Sequence, residues 1–247
     1  MKVAVLERIV ADRAAKRAVV LVTDLQSGDQ RLLYPFAADG EVATGRPQSG
    51  VRDDSVLVDD QLLELARVAA RDDRSGMVEH GGRERLFDVF NPPVRLVLVG
   101  AAHIAQALAA LAAINDFEVV VVDPRRAFAT AERFPDVELM CDWPQKVLPG
   151  LRIDHRTAVV ALSHDPKVDD PALQHAVGSP AFYVGALGGK RSHAARLERL
   201  SSGGCSGADL ARVHGPVGLD IGARTPAEIA TATLAQVIER LRGRRGS

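Results

Sequence analysis

The chain has 247 residues, 47% hydrophobic and 26% charged, with a formal net charge of −1. So balanced a charge leaves no broad basic footprint for nucleic acid or an anionic membrane, and 4% aromatic residues leave little material for stacking on bases. The length suits a substantial core and two unequal domains. No apolar run approaches the roughly 20 residues of a membrane span. Met1–Arg8 mixes charge into its apolar run and is not a secretory signal. Cys141 and Cys205 lie far apart and match no zinc spacing, so they read as reduced thiols of a cytoplasmic protein.

Residues 1–17 read as a helix with Val5, Leu6, Ile9 and Val10 on one face. Ala18–Leu25 is β-rich, Ser27-Gly28-Asp29 is a turn, and Leu32-Leu33-Tyr34 completes a hairpin. Asp39-Gly40 suggests another turn, and residues 43–54 a polar loop. Gln61–Ala70 is a helix with an apolar stripe of Leu62, Leu63, Leu65, Ala66 and Ala69. Residues 71–83 collect charges and glycines, and Leu86–Phe90 reads as a strand leading to Asn91-Pro92-Pro93. Pro-Pro continues neither a ladder nor a helix, so a boundary falls here. It separates a smaller N-terminal α+β domain, residues 1–85, from a C-terminal domain, residues 86–247.

The second domain opens on a βαβ unit: strand Val94–Val99, turn Gly100-Ala101-Ala102-His103, helix Ile104–Ile114, strand Phe117–Val122. Such valine-rich runs suit strands buried on both faces, as in a parallel sheet. Thr130–Phe134 is a short helical piece, and Pro144–Leu148 is too brief to assign. Strand Thr157–Leu162, helix Pro171–Val177, strand Ala181–Val184 and helix His193–Leu200 follow, then a glycine-rich loop over Ser201–Gly207. The last helix starts after Thr225, where Thr225-Pro226-Ala227-Glu228 supplies a capping hydroxyl, a proline at the first helical position and a glutamate that reaches back. The alternation predicts a doubly wound α/β layer with a parallel sheet.

In such a sheet ligands bind beyond the carboxyl ends of the strands. Four of these ends carry distinctive residues: Gly100–His103, Asp123–Arg126, Ser163–Asp165 and Gly185–Arg191. A fifth segment, Gly215–Gly222 with Asp220, closes the same crevice. The first turn is a weakened dinucleotide fingerprint at Gly100, Ala102 and Ala105: the Ala102 methyl crowds the pyrophosphate position, and Asp123 stands near the distance at which an acid contacts a ribose hydroxyl. His103 opens a helix, where it meets a phosphate or pterin ring or makes a local hydrogen bond. Arg125 pairs with a phosphate or salt-links its loop. His164 and Asp165 are weak acid–base candidates with no nucleophile beside them. Gly185, Gly188, Lys190 and Arg191 combine flexible glycines and two cations ahead of a helix N-terminus, which suits an anion. No metal ligands stand out.

Val94–His103, Val122-Asp123-Pro124-Arg125 with Glu132-Arg133-Phe134-Pro135, Ser163-His164-Asp165, Tyr183–Arg191 and above all Gly215–Ile229 resemble the XdhC/CoxI family, accessory factors that mature molybdenum hydroxylases such as xanthine and carbon monoxide dehydrogenases. The resemblance covers roughly residues 86–245. It implies a Rossmann-like C-terminal domain. It further implies a maturation factor rather than a catalyst, one that binds the molybdenum cofactor (molybdopterin), assists its sulfuration by a cysteine desulfurase and inserts it into the apo-enzyme. A cytoplasmic homodimer is the expected form. Two positions depart from the family pattern. Ala102 replaces the second glycine of Gly-x-Gly-His, and residues 1–85 hold no cysteine, which favours docking or nucleotide-dependent roles over thiol chemistry. An NAD(P)-dependent oxidoreductase, on the βαβ unit and Asp123, and a ligand-free scaffold for the partner enzyme are the competing readings.

Overall fold

A computed structural model describes residues 3–36 and 59–243; the turn expected at Asp39-Gly40 and the loop expected over 43–54 lie outside them. The chain forms two compact units, Met1–Pro92 and Pro93–Ser247.

The first unit contains α1 (Val3–Ala14), β1 (Val19–Asp24), β2 (Gln30–Leu33), α2 (Asp60–Arg71), β3 (Gly76–His80) and β4 (Arg83–Phe90). Its strands form an antiparallel sheet in the order β2-β1-β4-β3. Side chains alternate across a strand, and β1 uses both faces. Val20 and Val22 pack with Leu62 and Ala66 of α2, whereas Val19 and Leu21 pack with Ile9 of α1. The face expected for α1 is corrected here: Leu6 and Val10 are 46% and 60% exposed, and Ile9 is buried beside Asp12. The Asp12 carboxylate accepts from the Tyr34 hydroxyl at 2.6 Å and pairs with Arg8 and Arg17. Residues 71–83 are more than a charged link. They contain β3, an edge strand on which Met77 and Glu79 are exposed and His80 is buried, with Met77 paired opposite Leu86.

The second unit contains β5 (Arg95–Val99), α3 (His103–Ile114), β6 (Glu118–Val122), β7 (Glu138–Met140), α4 (Pro144–Val147), β8 (Thr157–Ala161), α5 (Pro166–Val177), β9 (Tyr183–Ala186), α6 (Lys190–Ser202), α7 (Gly207–Leu210), β10 (Val213–His214) and α8 (Pro226–Arg242). Six parallel strands lie in the order β10-β9-β8-β5-β6-β7. This is the doubly wound, Rossmann-like arrangement that the alternation predicted. Leu96 and Leu98 of β5 face a core shared with α3 and α8, and Val97 and Val99 face one shared with α5 and α6. Strands covered on both faces explain why their sequences read as unbroken apolar runs.

Several local expectations shift. Thr130–Phe134 forms turns, not a helix. β7 and β10 are too short to leave a pattern. β9 begins two residues later than predicted, while α5 and α6 begin earlier, so Lys190 and Arg191 are the first turn of a helix. The start of α8 is as predicted. Thr225 Oγ1 accepts from the Glu228 N–H at 3.3 Å, and Glu228 Oε2 accepts from the N–H of Thr225 at 2.9 Å and of Arg224 at 2.7 Å. No helix of the described residues is long and apolar enough to cross a membrane. Because this cap satisfies donors that the helix itself leaves open, Thr225→Ala should cost about 1 kcal/mol, read as a lower urea midpoint at unchanged slope.

Candidate functional site

The strand order branches between β5 and β8, whose helices α3 and α5 pack on opposite faces of the sheet. The crevice left at the carboxyl ends of these strands is where an open α/β sheet binds its ligand. Three helices point their N-termini at this edge. α5 is capped by Asp165, whose side chain accepts from the Lys167 N–H at 2.9 Å. Asp165, an acid–base candidate from the sequence, thus serves as a helix cap. α3 and α6 start at Ala102 and Gly189 with no side-chain cap, so their first N–H groups remain available to an anion.

The first turn is tied down rather than open. Gly100 sits at φ 104°, and a Cβ there would come within 2.6–2.8 Å of Ser163, so glycine alone lets the β5 and β8 ends approach. The Asp123 carboxylate is fully buried and accepts four hydrogen bonds: from the Ala101 N–H at 2.7 Å, the Arg125 N–H at 2.9 Å, Arg125 Nε at 2.9 Å and Arg125 Nη2 at 2.8 Å. Burial alone would raise its pKa, but these donors outweigh it and hold the group below the usual carboxylate range. Four donors occupy the acceptor positions of a carboxylate. The ribose contact expected of Asp123 is therefore corrected: the acid knots the first turn to the β6 loop. Arg125, expected to pair with a phosphate, is committed to that knot and stacks on Phe128 at 4.7 Å.

A cavity of about 610 Å³ opens beside the knot. Its polar wall carries His164, Gly188, Lys190 and Asp220, and its apolar wall Ile104, Leu187, Leu219, Ile221 and Ile229. These four residues are the predicted site members that the fold brings together. His103 is exposed on the first turn of α3, and Arg191 on the first turn of α6, but neither lines the cavity. Gly185 is corrected: it is buried in β9, and a Cβ there would meet Tyr183 and Val217 at 2.7 Å, so it is a packing glycine. The Gly215–Gly222 wall is stapled in place. Val217 N–H donates to Ala186 O at 3.2 Å, Gly218 N–H to Gln236 Oε1 at 2.9 Å and Leu219 N–H to Ala232 O at 3.1 Å.

Sequence reasoning missed Arg196, which lies below this wall beside Asp169. Asp169 is buried, with Ser163 Oγ donating to Oδ1 at 2.6 Å and Arg196 Nη2 3.6 Å from Oδ2. Burial pushes the Asp169 carboxyl above its ordinary pKa, against the opposing pull of Ser163 and Arg196. The available signal was helical spacing: Arg196 lies four residues before the buried Leu200, on the inward face of α6. Among the described residues no group of three or more His, Cys, Asp or Glu is placed to hold a metal ion.

The depressed pKa of Asp123 has a sign that can be measured. Its ionised form stabilises the fold above the ordinary carboxylate value of about 4, and that contribution is lost as pH falls through the lower folded-state value. Asp123→Asn should therefore destabilise the protein at about pH 7 and much less at about pH 3, as read from urea midpoints.

The family described as the XdhC Rossmann domain matches residues 96–237. Relatives include the molybdenum cofactor insertion chaperone PaoD of Escherichia coli K12, 34% identical over 148 residues, which are 60% of this chain and 40% of that protein. A probable xanthine dehydrogenase subunit from Bacillus subtilis 168 is 34% identical over 149 residues, 60% of this chain and 43% of its own. The uncharacterized protein YqeB of Escherichia coli K12 is 32% identical over 145 residues, 59% of this chain and 27% of its own. The matches thus span less than half the length of each of these relatives. A solved structure described as a xanthine dehydrogenase from Bacillus halodurans shares the fold, with a TM-score of 0.67 at 23% identity over 98% of this chain and 65% of that one. With the family matched over more than half of its length, and with the doubly wound sheet in place, this chain belongs to the XdhC family.

Proposed function

We propose that the chain is a maturation factor that holds the molybdenum cofactor in the crevice beside β5 and β8 and passes it to a molybdenum hydroxylase. The carrying observation is the cavity itself, where Lys190 and the uncapped N-terminus of α6 stand opposite an apolar wall. An anionic pterin asks for these two things: fixed positive potential for its charged end and apolar surface for its ring. A volume of about 610 Å³ falls within the range of small-molecule sites. PaoD, named as a cofactor insertion chaperone, supports the same reading.

The bound cofactor supplies the pterin and its molybdenum centre; this chain's residues bind, orient and shield. Lys190 and the first N–H groups of α6 fix the anionic end. Ile104, Leu187 and Ile221 cover the ring and keep water from it. Neither Cys141 nor Cys205 lines the cavity, so a sulfur atom for the cofactor would come from a partner cysteine desulfurase. Burial further raises the Cys205 thiol pKa and makes it a poor nucleophile.

Calorimetric titration of the full chain with isolated molybdenum cofactor should give saturable binding. Lys190→Ala/Arg191→Ala should weaken it about tenfold or more, the loss of roughly 1.4 kcal/mol. Affinity unchanged by the double substitution would remove this site from the proposal.

A further inference from the structure

Beneath the Gly188-Gly189 turn lies a guanidinium with bonding capacity left over. Arg196 is 5% exposed. Its Nη2 donates to the Leu187 carbonyl at 2.9 Å and stands 3.6 Å from Asp169 Oδ2, outside hydrogen-bond range. Its Nε and Nη1 have no hydrogen-bond partner, and neither has Asp169 Oδ2. Buried polar atoms in native proteins find partners, and when the chain supplies none the position belongs to water, an ion or a ligand. Nη1 lies directly beneath the turn: it is 3.8 Å from where a Cβ on Gly188 would sit, and Gly188 lines the cavity. Gly188 itself adopts φ 138°, and a Cβ there would come 2.7 Å from Ser192 Oγ.

Above this point α6 begins. It is 13 residues long, its cap residue Gly189 has no side chain to accept from the first N–H groups, and Lys190 reaches the same cavity. Lys190, the helix N-terminus and, one layer deeper, Arg196 thus surround one position, with the carboxylate of Asp169 behind it and that of Asp220 on the cavity wall. Arginine presents a planar fork of donors that matches the oxygens of a phosphate, which an ammonium does not.

We infer that Arg196 is a buried ligand for the oxyanion of a phosphate monoester seated against the N-terminus of α6, with Lys190 as the second cation and Asp169 as the countercharge that positions the guanidinium. The inference rests on the proposed function for the nature of the guest and adds its polarity: the phosphate end goes to α6, the ring to the Ile221–Ile229 wall.

The test titrates the full chain with inorganic phosphate and with phenyl phosphate, followed by calorimetry and thermal shift. Wild type should bind both saturably. Arg196→Lys, which keeps the charge and loses the fork, should bind at least about tenfold more weakly with an unchanged circular dichroism spectrum. No saturable binding by wild type, or equal binding by Arg196→Lys, overturns the inference; exclusion of phenyl phosphate alone overturns the monoester assignment. Should Arg196→Lys fail to fold, the arginine Nε–H resonances of the wild type decide. A signal that moves with phosphate supports the site, and a spectrum unchanged at saturating phosphate overturns it. Molybdenum cofactor bound equally by wild type and Arg196→Lys would sink this inference and leave the proposed function standing. Phosphate bound through Arg196 without any cofactor binding would do the reverse.

Discussion

Everything in the larger unit depends on two parallel neighbours whose chains part company. β5 and β8 pair residue for residue from Arg95 opposite Thr157 to Val99 opposite Ala161, and then their helices leave for opposite faces. The gap that opens where they part cannot be filled by either strand. Gly100 permits the two ends to come together at Ser163, and Asp123 then ties the first turn down, accepting one hydrogen bond from Ala101 and three from Arg125. The crevice is a consequence of the connection rule for parallel sheets before any side chain in it is chosen.

That constraint ties up the acid a dinucleotide site would use while leaving the same scaffold. The two features that look most like a nicotinamide fingerprint, the first turn and the acid after β6, are turned toward each other. Ala102 stands at the helix start and Asp123 is consumed internally. Open N–H donors remain at the starts of both α3 and α6, and at α6 glycines and Lys190 meet an apolar wall with the unsatisfied Arg196 beneath. The proposed function seats the charged end of the guest at the helix after β9 rather than at the helix after β5.

Much of this was legible before the fold was known. Long valine runs marked the buried strands, and the Thr225–Glu228 spacing marked the start of α8 to the residue, because both signals are local. Strand-end reasoning also brought His164, Gly188, Lys190 and Asp220 to one place. The rest was hidden for physical reasons. Gly185 reads like a loop glycine, and only the Tyr183 ring and Val217 across the sheet reveal it as packing. Asp165 reads like an acid–base partner until helix α5 is seen to begin at Pro166. β3 is a short edge strand flanked by the charges of residues 71–74 and by Gly81-Gly82, which disguised it as a linker. Arg196 belongs to a helix of mostly exposed polar residues, and its burial depends on Leu187 and Asp169, which lie on other elements.

Where an anionic guest sits is the point on which the proposed function and the phosphate site both turn. A crystal structure of the chain with bound molybdenum cofactor would read that position atom by atom. The expected position is the cavity lined by Gly188, Lys190 and Ile221, with the cofactor's phosphate against the first turn of α6 and within hydrogen-bond range of Arg196. A cofactor bound instead along the Gly100–His103 turn, or in the separate basic cleft lined by Arg212, His214 and Arg240, would contradict it.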